Sequence, residues 1–185
     1  NLCSQEGAVY LEVGVFAGAT FCAAVQNNDM VAAYANDNWS QPDLQPARED
    51  LELTLENVTV DTFVENLQDN VTTETLDFDI QVLNGDSSKL GKKDFTHDVN
   101  IIFYDGDNSE QKMREFFLNM IDFTEDVFTL VVDDANIEQN VAITKRFIDA
   151  MGLKVLYERE LLNDQEDVDM WWNGLYVTVL SKSTL

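Results

Sequence analysis

Two runs of apolar and β-branched residues constrain the fold of this chain more than any other feature. They span Val99–Tyr104 and residues 128–132, and near-continuous apolar runs are typical of central parallel strands covered on both faces. Between them, five apolar residues recur with the period of a helix that buries one face: Met113, Phe116, Phe117, Met120 and Ile121. Ser109 precedes this helix at the expected N-cap position. The segment therefore predicts two parallel strands joined by a helix.

The alternation of strands and helices extends to both ends of the chain. Other apolar runs predict strands at residues 8–13, 30–35, 80–83, 154–161 and 175–180. Helical patterns occupy residues 20–25, 63–67 and 140–151, the last of which ends at Gly152. The length of 185 residues suits one domain, residues 1–185. We therefore predict a doubly wound α/β fold built on an open parallel sheet.

Acidic residues follow four of the predicted strands. In open α/β sheets, ligands bind outside the carboxyl ends of the strands, so the residues just after each strand are candidates for a site. Crowding carboxylates there is costly unless a cation or a hydroxyl-rich ligand lies among them. The candidate positions are residues 14–18, Asp37, Asp86 with Ser87, residues 105–108, and Asp133 with Asp134.

The turn after the first strand carries Gly14 and Gly18, which allow the backbone to pass close to a ligand. The spacing is not GxGxxG, and this disfavours an ordinary NAD site. Asp37 follows about twenty residues later, at a strand end where a carboxylate can bind both hydroxyls of a ribose. A tight turn and a solvated loop aspartate remain the alternative interpretation. Together the two features favour a nucleoside cofactor.

Four segments in this order resemble class I S-adenosylmethionine-dependent methyltransferases and, among them, the macrocin O-methyltransferase-like group. They are residues 11–18, 34–39, 104–109 and 131–134. The resemblance extends from about Tyr10 to Lys182. It implies a Rossmann-like methyltransferase fold with a mostly parallel sheet of seven strands, in which the last strand is antiparallel. It also implies S-adenosylmethionine as the cofactor.

The same resemblance assigns roles to individual residues. Gly14 and Gly18 would border the methionine part of the cofactor, with Glu12 supporting their turn. Asp37 would hold the ribose hydroxyls. Asp86 and Ser87 would lie against the adenine.

Metal-dependent relatives imply a second set of residues. Asp105, Asp133 and Asp134 would bind Mg²⁺ or Mn²⁺, and Asp107 would accept a proton from the substrate. Asn108 stands where the related motif has His or an aromatic residue. The expected reaction is methyl transfer to a hydroxyl of a small molecule or sugar. Two alternatives stay open: a cofactor-binding protein without transfer activity, and a nicotinamide-dependent oxidoreductase.

Two other residue types, histidine and tryptophan, are further candidates for a site. The single histidine, His97, precedes the fourth strand and so lies away from the expected site. Trp171 and Trp172 lie between the last two predicted strands, where packing is favoured over contact with substrate or a partner subunit. Trp39 fits the adenosine pocket and plain packing equally well.

Charge restricts the partners of this chain. Eleven basic residues against 35 acidic ones give a formal net charge of −24, which repels nucleic acid and anionic membrane surfaces. No apolar run approaches the roughly 20 residues of a membrane span. Cys3 and Cys22 lack metal or disulfide spacing and suit a reducing compartment. We therefore expect a cytoplasmic protein with a small-molecule acceptor, and the sequence is compatible with a homo-oligomer.

The net charge leads to a prediction about salt. Self-repulsion among charges of one sign should make the fold more stable at physiological ionic strength, where the screening length is about 8 Å, than in dilute buffer. Melting temperatures measured between these two conditions test this. A flat or falling trend would mean that the carboxylates are already well paired.

Overall fold

Seven strands form one mixed sheet in the order β3-β2-β1-β4-β5-β7-β6. The computed structural model describes residues 2–40, 58–71, 77–163 and 173–182. The strands are β1 (Val9–Val13), β2 (Ala32–Asp37), β3 (Asp79–Asn84), β4 (Val99–Tyr104), β5 (Thr124–Asp133), β6 (Lys154–Leu161) and β7 (Leu175–Ser181). The first five strands are parallel to one another, and β7 runs antiparallel to both β5 and β6. The predicted sheet with its antiparallel last strand is confirmed.

Helices cover both faces of the sheet and divide the core into two clusters. The helices are α1 (Ala19–Val25), α2 (Val60–Asn70), α3 (Glu110–Met120) and α4 (Glu138–Ala150). On one face, Phe116 and Phe117 of α3 and Phe147 of α4 pack against the strands. On the other face, Phe21 of α1 and Phe63 of α2 do so, with their rings in edge contact at 5.6 Å. This two-sided burial explains the continuous apolar runs in β4 and β5.

The strand order contains one switch point, between β1 and β4. From β1 the chain proceeds to β2 and β3 on one side, and from β4 to β5 on the other. Crossovers leave in opposite directions from these two central strands, so a crevice is expected outside their carboxyl ends. Gly14 directly follows β1 and Asp105 directly follows β4.

Element boundaries differ from the predictions mainly where polar residues belong to a strand. β5 begins at Thr124, four positions before the predicted start at Phe128. Glu125 and Asp126 are exposed, but the strand includes them because Thr124 pairs with Val99 of β4 and Val127 with Ser181 of β7. An apolar pattern does not detect such an exposed strand start.

Some of the residues considered in the sequence lie outside the described ranges. Trp171, Trp172, Pro42, Pro46 and most of the segment between Ser40 and Asp79 lie outside the described ranges. Over the ranges that the structure does describe, every helix is too short or too polar to cross a membrane. Cys3 and Cys22 are both buried.

Candidate functional site

The turn after β1 is fixed by contact with the end of β4. Gly14 has a φ of +86°, and its amide donates a hydrogen bond to the carbonyl of Asn36 at 2.8 Å. A Cβ atom on Gly14 would lie 1.9 Å from the carbonyl oxygen of Asp105. Gly14 is therefore required by a close approach of backbone to backbone, in addition to any ligand.

Glu12 lies beneath this turn, two residues before Gly14. Its side chain is fully buried and accepts hydrogen bonds from the hydroxyls of Tyr10 and Thr20, each at 2.5 Å. Burial raises the pKa of Glu12 to about 7, although both hydrogen bonds act in the opposite direction. Because Thr20 belongs to the first turn of α1, Glu12 joins the end of β1 to that helix.

Asp37 joins the end of β2 to the same turn. One carboxylate oxygen, Oδ2, accepts from the amide of Phe16 at 2.8 Å, and Oδ1 accepts from the amide of Trp39 at 2.8 Å. A carboxylate offers about four acceptor positions, so Asp37 keeps acceptor capacity for a ligand. Trp39 donates from Nε1 to the carbonyl of Phe16 at 3.0 Å and packs beside the ring of Phe63. These contacts give Trp39 a packing role.

Asp86 is paired within the protein. Its Oδ1 accepts from the amide of Ser88, and its Oδ2 forms an ion pair with Lys112 of α3 at 2.5 Å. The hydrogen bond from Lys112 lowers the pKa of Asp86 to about 2. Asp86 thus caps the short 3-10 turn Ser87–Lys89 and ties it to α3. Contact of Asp86 and Ser87 with adenine stays a prediction.

Three carboxylates crowd the carboxyl ends of β4 and β5. Solvent reaches the Asp105 side chain, yet surrounding protein atoms partly desolvate it, and this raises its pKa to about 8 together with the negative charges of Asp133 and Asp134. Burial also raises the pKa of Asp133 to about 6. Over the described part of the chain, no lysine or arginine forms an ion pair with any of the three.

The arrangement of these residues does not fit the predicted Mg²⁺ or Mn²⁺ site. Among residues 2–40, 58–71, 77–163 and 173–182, no three His, Cys, Asp or Glu side chains are grouped so as to hold a metal ion. Both oxygens of Asp134 instead accept hydrogen bonds from side-chain amides, Oδ2 from Asn108 at 2.7 Å and Oδ1 from Asn173 at 2.8 Å. Metal ligation would compete with both of these bonds. We therefore assign no metal ion to Asp105, Asp133 and Asp134.

Asp107 lies at the start of α3 with its side chain exposed. Its Oδ1 accepts from the amide of Ser109 at 2.8 Å, and its carbonyl accepts from the hydroxyl of Tyr104 at 2.8 Å. Ser109 occupies the predicted N-cap position, but its side chain makes no capping hydrogen bond there. Asp107 instead forms a local turn by binding the amide of Ser109, the residue before α3. His97 precedes β4 at the opposite edge of the sheet, as expected, and bonds to Thr96.

Sequence reasoning missed three residues that organise this region. Lys112 was not linked to Asp86, and Asn136 and Asn173 were not linked to the residues after β5. Only Asn173 carried a sequence signal, because Asn173-Gly174 is a turn dipeptide.

Comparison with known proteins identifies the fold. Neither a protein-family model nor a curated protein matches this sequence. Three similar solved structures are TrmK of M. capricolum with bound S-adenosyl-homocysteine (12% identity, TM-score 0.59), an rRNA methylase from Streptococcus thermophilus (8%, 0.56) and the fibrillarin pre-rRNA processing protein of Methanococcus jannaschii (14%, 0.58). The matches cover 96%, 99% and 98% of this chain and 63%, 91% and 70% of those chains, respectively.

These structures share the Rossmann-like methyltransferase fold with this chain. The chain spans 63% of the length of the M. capricolum protein, so the latter contains segments without a counterpart here. At these identities the likeness establishes the fold alone. The narrower resemblance to the macrocin O-methyltransferase-like group stays a prediction.

The contact between Gly14 and Asp105 predicts the effect of one methyl group. Gly14→Ala should lower the free energy of unfolding by at least about 3 kcal/mol, because the new Cβ overlaps the Asp105 carbonyl and φ is positive. Gly91→Ala is the matched control, since a Cβ there has open space and φ is negative; its change should stay within about 1 kcal/mol. Chemical denaturation of both variants measures this. Equal stabilities would mean that β1 and β4 do not approach as described.

The raised pKa values predict that stability falls as pH rises. The folded state binds protons on Glu12, Asp105 and Asp133 more tightly than the unfolded state, so this stability is lost between about pH 4 and pH 8. Asp105→Asn should therefore raise the melting temperature at pH 8 by about 3 °C or more and change it little at pH 5. Solvent screening limits the size of the effect at Asp105.

A control separates this local effect from the loss of one negative charge. Glu6→Gln removes a charge from an exposed position near the start of the chain. It should leave the pH dependence of the melting temperature nearly unchanged. If the melting temperatures of the wild type and Asp105→Asn differ by the same amount at every pH from 5 to 8, the raised pKa of Asp105 is contradicted.

Proposed function

We propose that this chain is an S-adenosylmethionine-dependent methyltransferase. The observation that carries the proposal is the junction at the switch point. There, the glycine turn after β1 contacts the end of β4 through Gly14 and is bound by Asp37 from the end of β2. The fold is shared with solved methyltransferases, one of which holds S-adenosyl-homocysteine. Fold likeness raises the expectation of this function, and the residues of the junction supply the specific argument.

The proposed cofactor residues have complementary tasks. The remaining acceptor positions of Asp37 suit the two hydroxyls of a ribose. The turn from Gly14 to Gly18 would border the methionine part, and Glu12 holds that turn to α1 through Thr20. When bound, the cofactor supplies a methyl group on a positively charged sulfonium. Glu12, Asp105 and Asp133 favour such a charge nearby, because their carboxylates lack a cationic partner among the described residues.

We propose a hydroxylated small molecule or sugar as the acceptor and Asp107 as the group that accepts its proton. Asp105 suits this task less, because a carboxyl with a pKa of about 8 keeps its proton in most molecules at neutral pH. Asp107 uses Oδ1 to bind the amide of Ser109, and its exposed side chain follows the end of β4 by three residues. Much of the rate would come from holding acceptor and cofactor in line.

We propose that nucleic acid is not the acceptor, although several similar structures are proteins that act on RNA. Binding RNA requires lysines and arginines that neutralise phosphates, and the whole chain has 11 such residues against 35 acidic ones. Lys112, which contacts the proposed adenine-binding loop, already forms an ion pair with Asp86 of that loop. A neutral or cationic acceptor is compatible with the carboxylates after β4 and β5.

The cofactor proposal predicts selective binding that depends on Asp37. S-adenosylmethionine should bind and raise the melting temperature, and NAD should not. Asp37→Ala should weaken binding by removing hydrogen bonds to a charged acceptor, each worth about 1.5–3 kcal/mol. Asp29→Ala is the matched control: it removes the same charge from an exposed loop before β2, at the other end of that strand. Isothermal calorimetry measures all three proteins.

Two outcomes would count against the proposal. Unchanged affinity in a folded Asp37→Ala variant would place the cofactor elsewhere, and stabilisation by NAD alone would favour an oxidoreductase. Radiolabelled methyl transfer to panels of hydroxylated small molecules and of RNA then tests the acceptor. Transfer to RNA would overturn the acceptor proposal, whereas tight cofactor binding without any transfer would favour a binding protein that lacks activity.

A further inference from the structure

Three separate loops at the carboxyl edge of the sheet meet on one carboxylate. Asp134, just after β5, accepts from Asn108 in the loop after β4 at 2.7 Å and from Asn173 in the connection from β6 to β7 at 2.8 Å. Asn108 and Asn173 reach Asp134 from positions 26 and 39 residues away along the chain. Each donates an amide hydrogen to a different oxygen. The carboxylate therefore joins the loop after β4 to the residues just beyond the last paired positions of β5 and β7, Asp133 and Leu175.

A second asparagine completes the connection between the same loops. Asn136 donates from Nδ2 to the carbonyl of Asn163 at 2.8 Å and accepts at Oδ1 from the amide of Asn163 at 3.1 Å. Its own backbone amide donates to the carbonyl of Asn173 at 2.7 Å. Asn163 and Asn173 flank the connection between β6 and β7, so Asn136 ties both of its ends to the loop after β5. We call Asn108, Asp134, Asn136, Asn163 and Asn173 the asparagine clasp.

The backbone of the clasp adopts conformations that require support. Asp134 and Asn173 have φ values of 57° and 63°, in the left-handed region that non-glycine residues adopt at a cost. Gly174 has a φ of 74°, and a Cβ there would lie 2.6 Å from Oδ1 of Asn136. Such conformations persist when surrounding contacts determine them. The hydrogen bonds of the clasp are contacts of this kind.

The clasp lies on one side of the switch point. The proposed ribose and methionine residues follow β1 and β2, whereas Asn108, Asp134 and Asn173 lie beside the ends of β4 and β5 and the start of β7. A bound nucleoside at β1 and β2 leaves the β4 and β5 side for the second reactant. Asp105 and Asp107 lie in the same loop as Asn108, between the end of β4 and the start of α3.

We propose that Asp134 is a positioning residue for the acceptor side of the site: its two hydrogen bonds hold the loop after β4, the loop after β5 and Asn173, which precedes β7, in one arrangement. The acceptor side rests on the proposed function, but the clasp itself does not. In this role Asp134 orients the loop that carries Asp107 through Asn108. It acts through protein amides, and it contacts neither cofactor nor metal.

Exchanging the two partners of the shorter hydrogen bond gives a sharp test. Asn108→Asp places two carboxylates at hydrogen-bond distance, and their repulsion should open the clasp. The double variant Asn108→Asp with Asp134→Asn restores one amide facing one carboxylate and has the net charge of the wild type. Asp134→Asn alone should be tolerated, because the Asn108 amide can turn its oxygen toward the new amide group.

Hydrogen exchange followed by mass spectrometry or NMR gives the first measurement. The amides of Asn136 and Asn163 should exchange at least about tenfold faster in Asn108→Asp than in the wild type, whereas the amides of β1 and β4 should not change. The double variant should return to the wild-type rates. Unchanged exchange in Asn108→Asp, or faster exchange that the double variant fails to restore, would overturn the proposal.

Binding and kinetics distinguish the positioning role from two alternatives. Affinity for S-adenosylmethionine should be equal in all four proteins, while KM for a hydroxylated acceptor should rise about tenfold in Asn108→Asp and recover in the double variant. Titration with Mn²⁺, followed by electron paramagnetic resonance, tests ligation. A metal ligand at position 134 would make Asn108→Asp bind Mn²⁺ more tightly and Asp134→Asn lose it, and that result would overturn the proposal. A wild type that binds no S-adenosylmethionine would refute the proposed function and leave the exchange rates to decide the clasp.

Discussion

The close approach of Gly14 to the backbone of Asp105 is the constraint on which the candidate site depends. The amide of Asp105 donates to the carbonyl of Val13 at 2.8 Å, so β1 and β4 remain paired up to the residue where they end. Only a residue without a side chain fits between them at that point. Asp37 then binds the same turn through Phe16. The ends of three strands therefore form a single unit before any ligand is present.

The cost of this unit is electrostatic. Glu12, Asp105 and Asp133 all have raised pKa values, which means that the fold disfavours their ionised forms. Asp86 and Asp134 show two ways in which the chain avoids such a cost, through an ion pair with Lys112 and through two amide donors. No ion pair among the described residues involves Glu12 or Asp105, which lie at the switch point, or Asp133 at the end of β5. Groups held in a costly state at a strand end are candidates for ligand contact, because a positively charged ligand would relieve the repulsion.

The fold was predictable from the sequence because it depends on local patterns. β4 and β6 have the predicted boundaries, and Gly14 and Asp37 lie at strand ends as the alternation required. The predicted start of β5 was wrong, since the exposed polar residues Glu125 and Asp126 lie between Thr124 and Val127, which pair with β4 and β7.

The internal organisation of the candidate site was less predictable. Its hydrogen bonds join residues far apart along the chain, such as Asp86 with Lys112 and Asp134 with Asn173. A motif places an aspartate after a strand, but it does not determine which groups occupy its oxygens. Both oxygens of Asp134 have amide partners that the metal interpretation did not include. Asn108, which departs from the related motif, is the residue that provides one of these partners.

Fold and surface charge give different information about this chain. The sheet resembles those of an rRNA methylase and of a pre-rRNA processing protein, but one scaffold serves unrelated functions. The net charge of −24 disfavours binding of a polyanion to this chain. Neutral amides hold the loops after β4 and β5 together, and unpaired carboxylates lie beside them. Asp105 and Asp133 resist ionisation at this position, so a positively charged group beside them would lower the cost of ionising both.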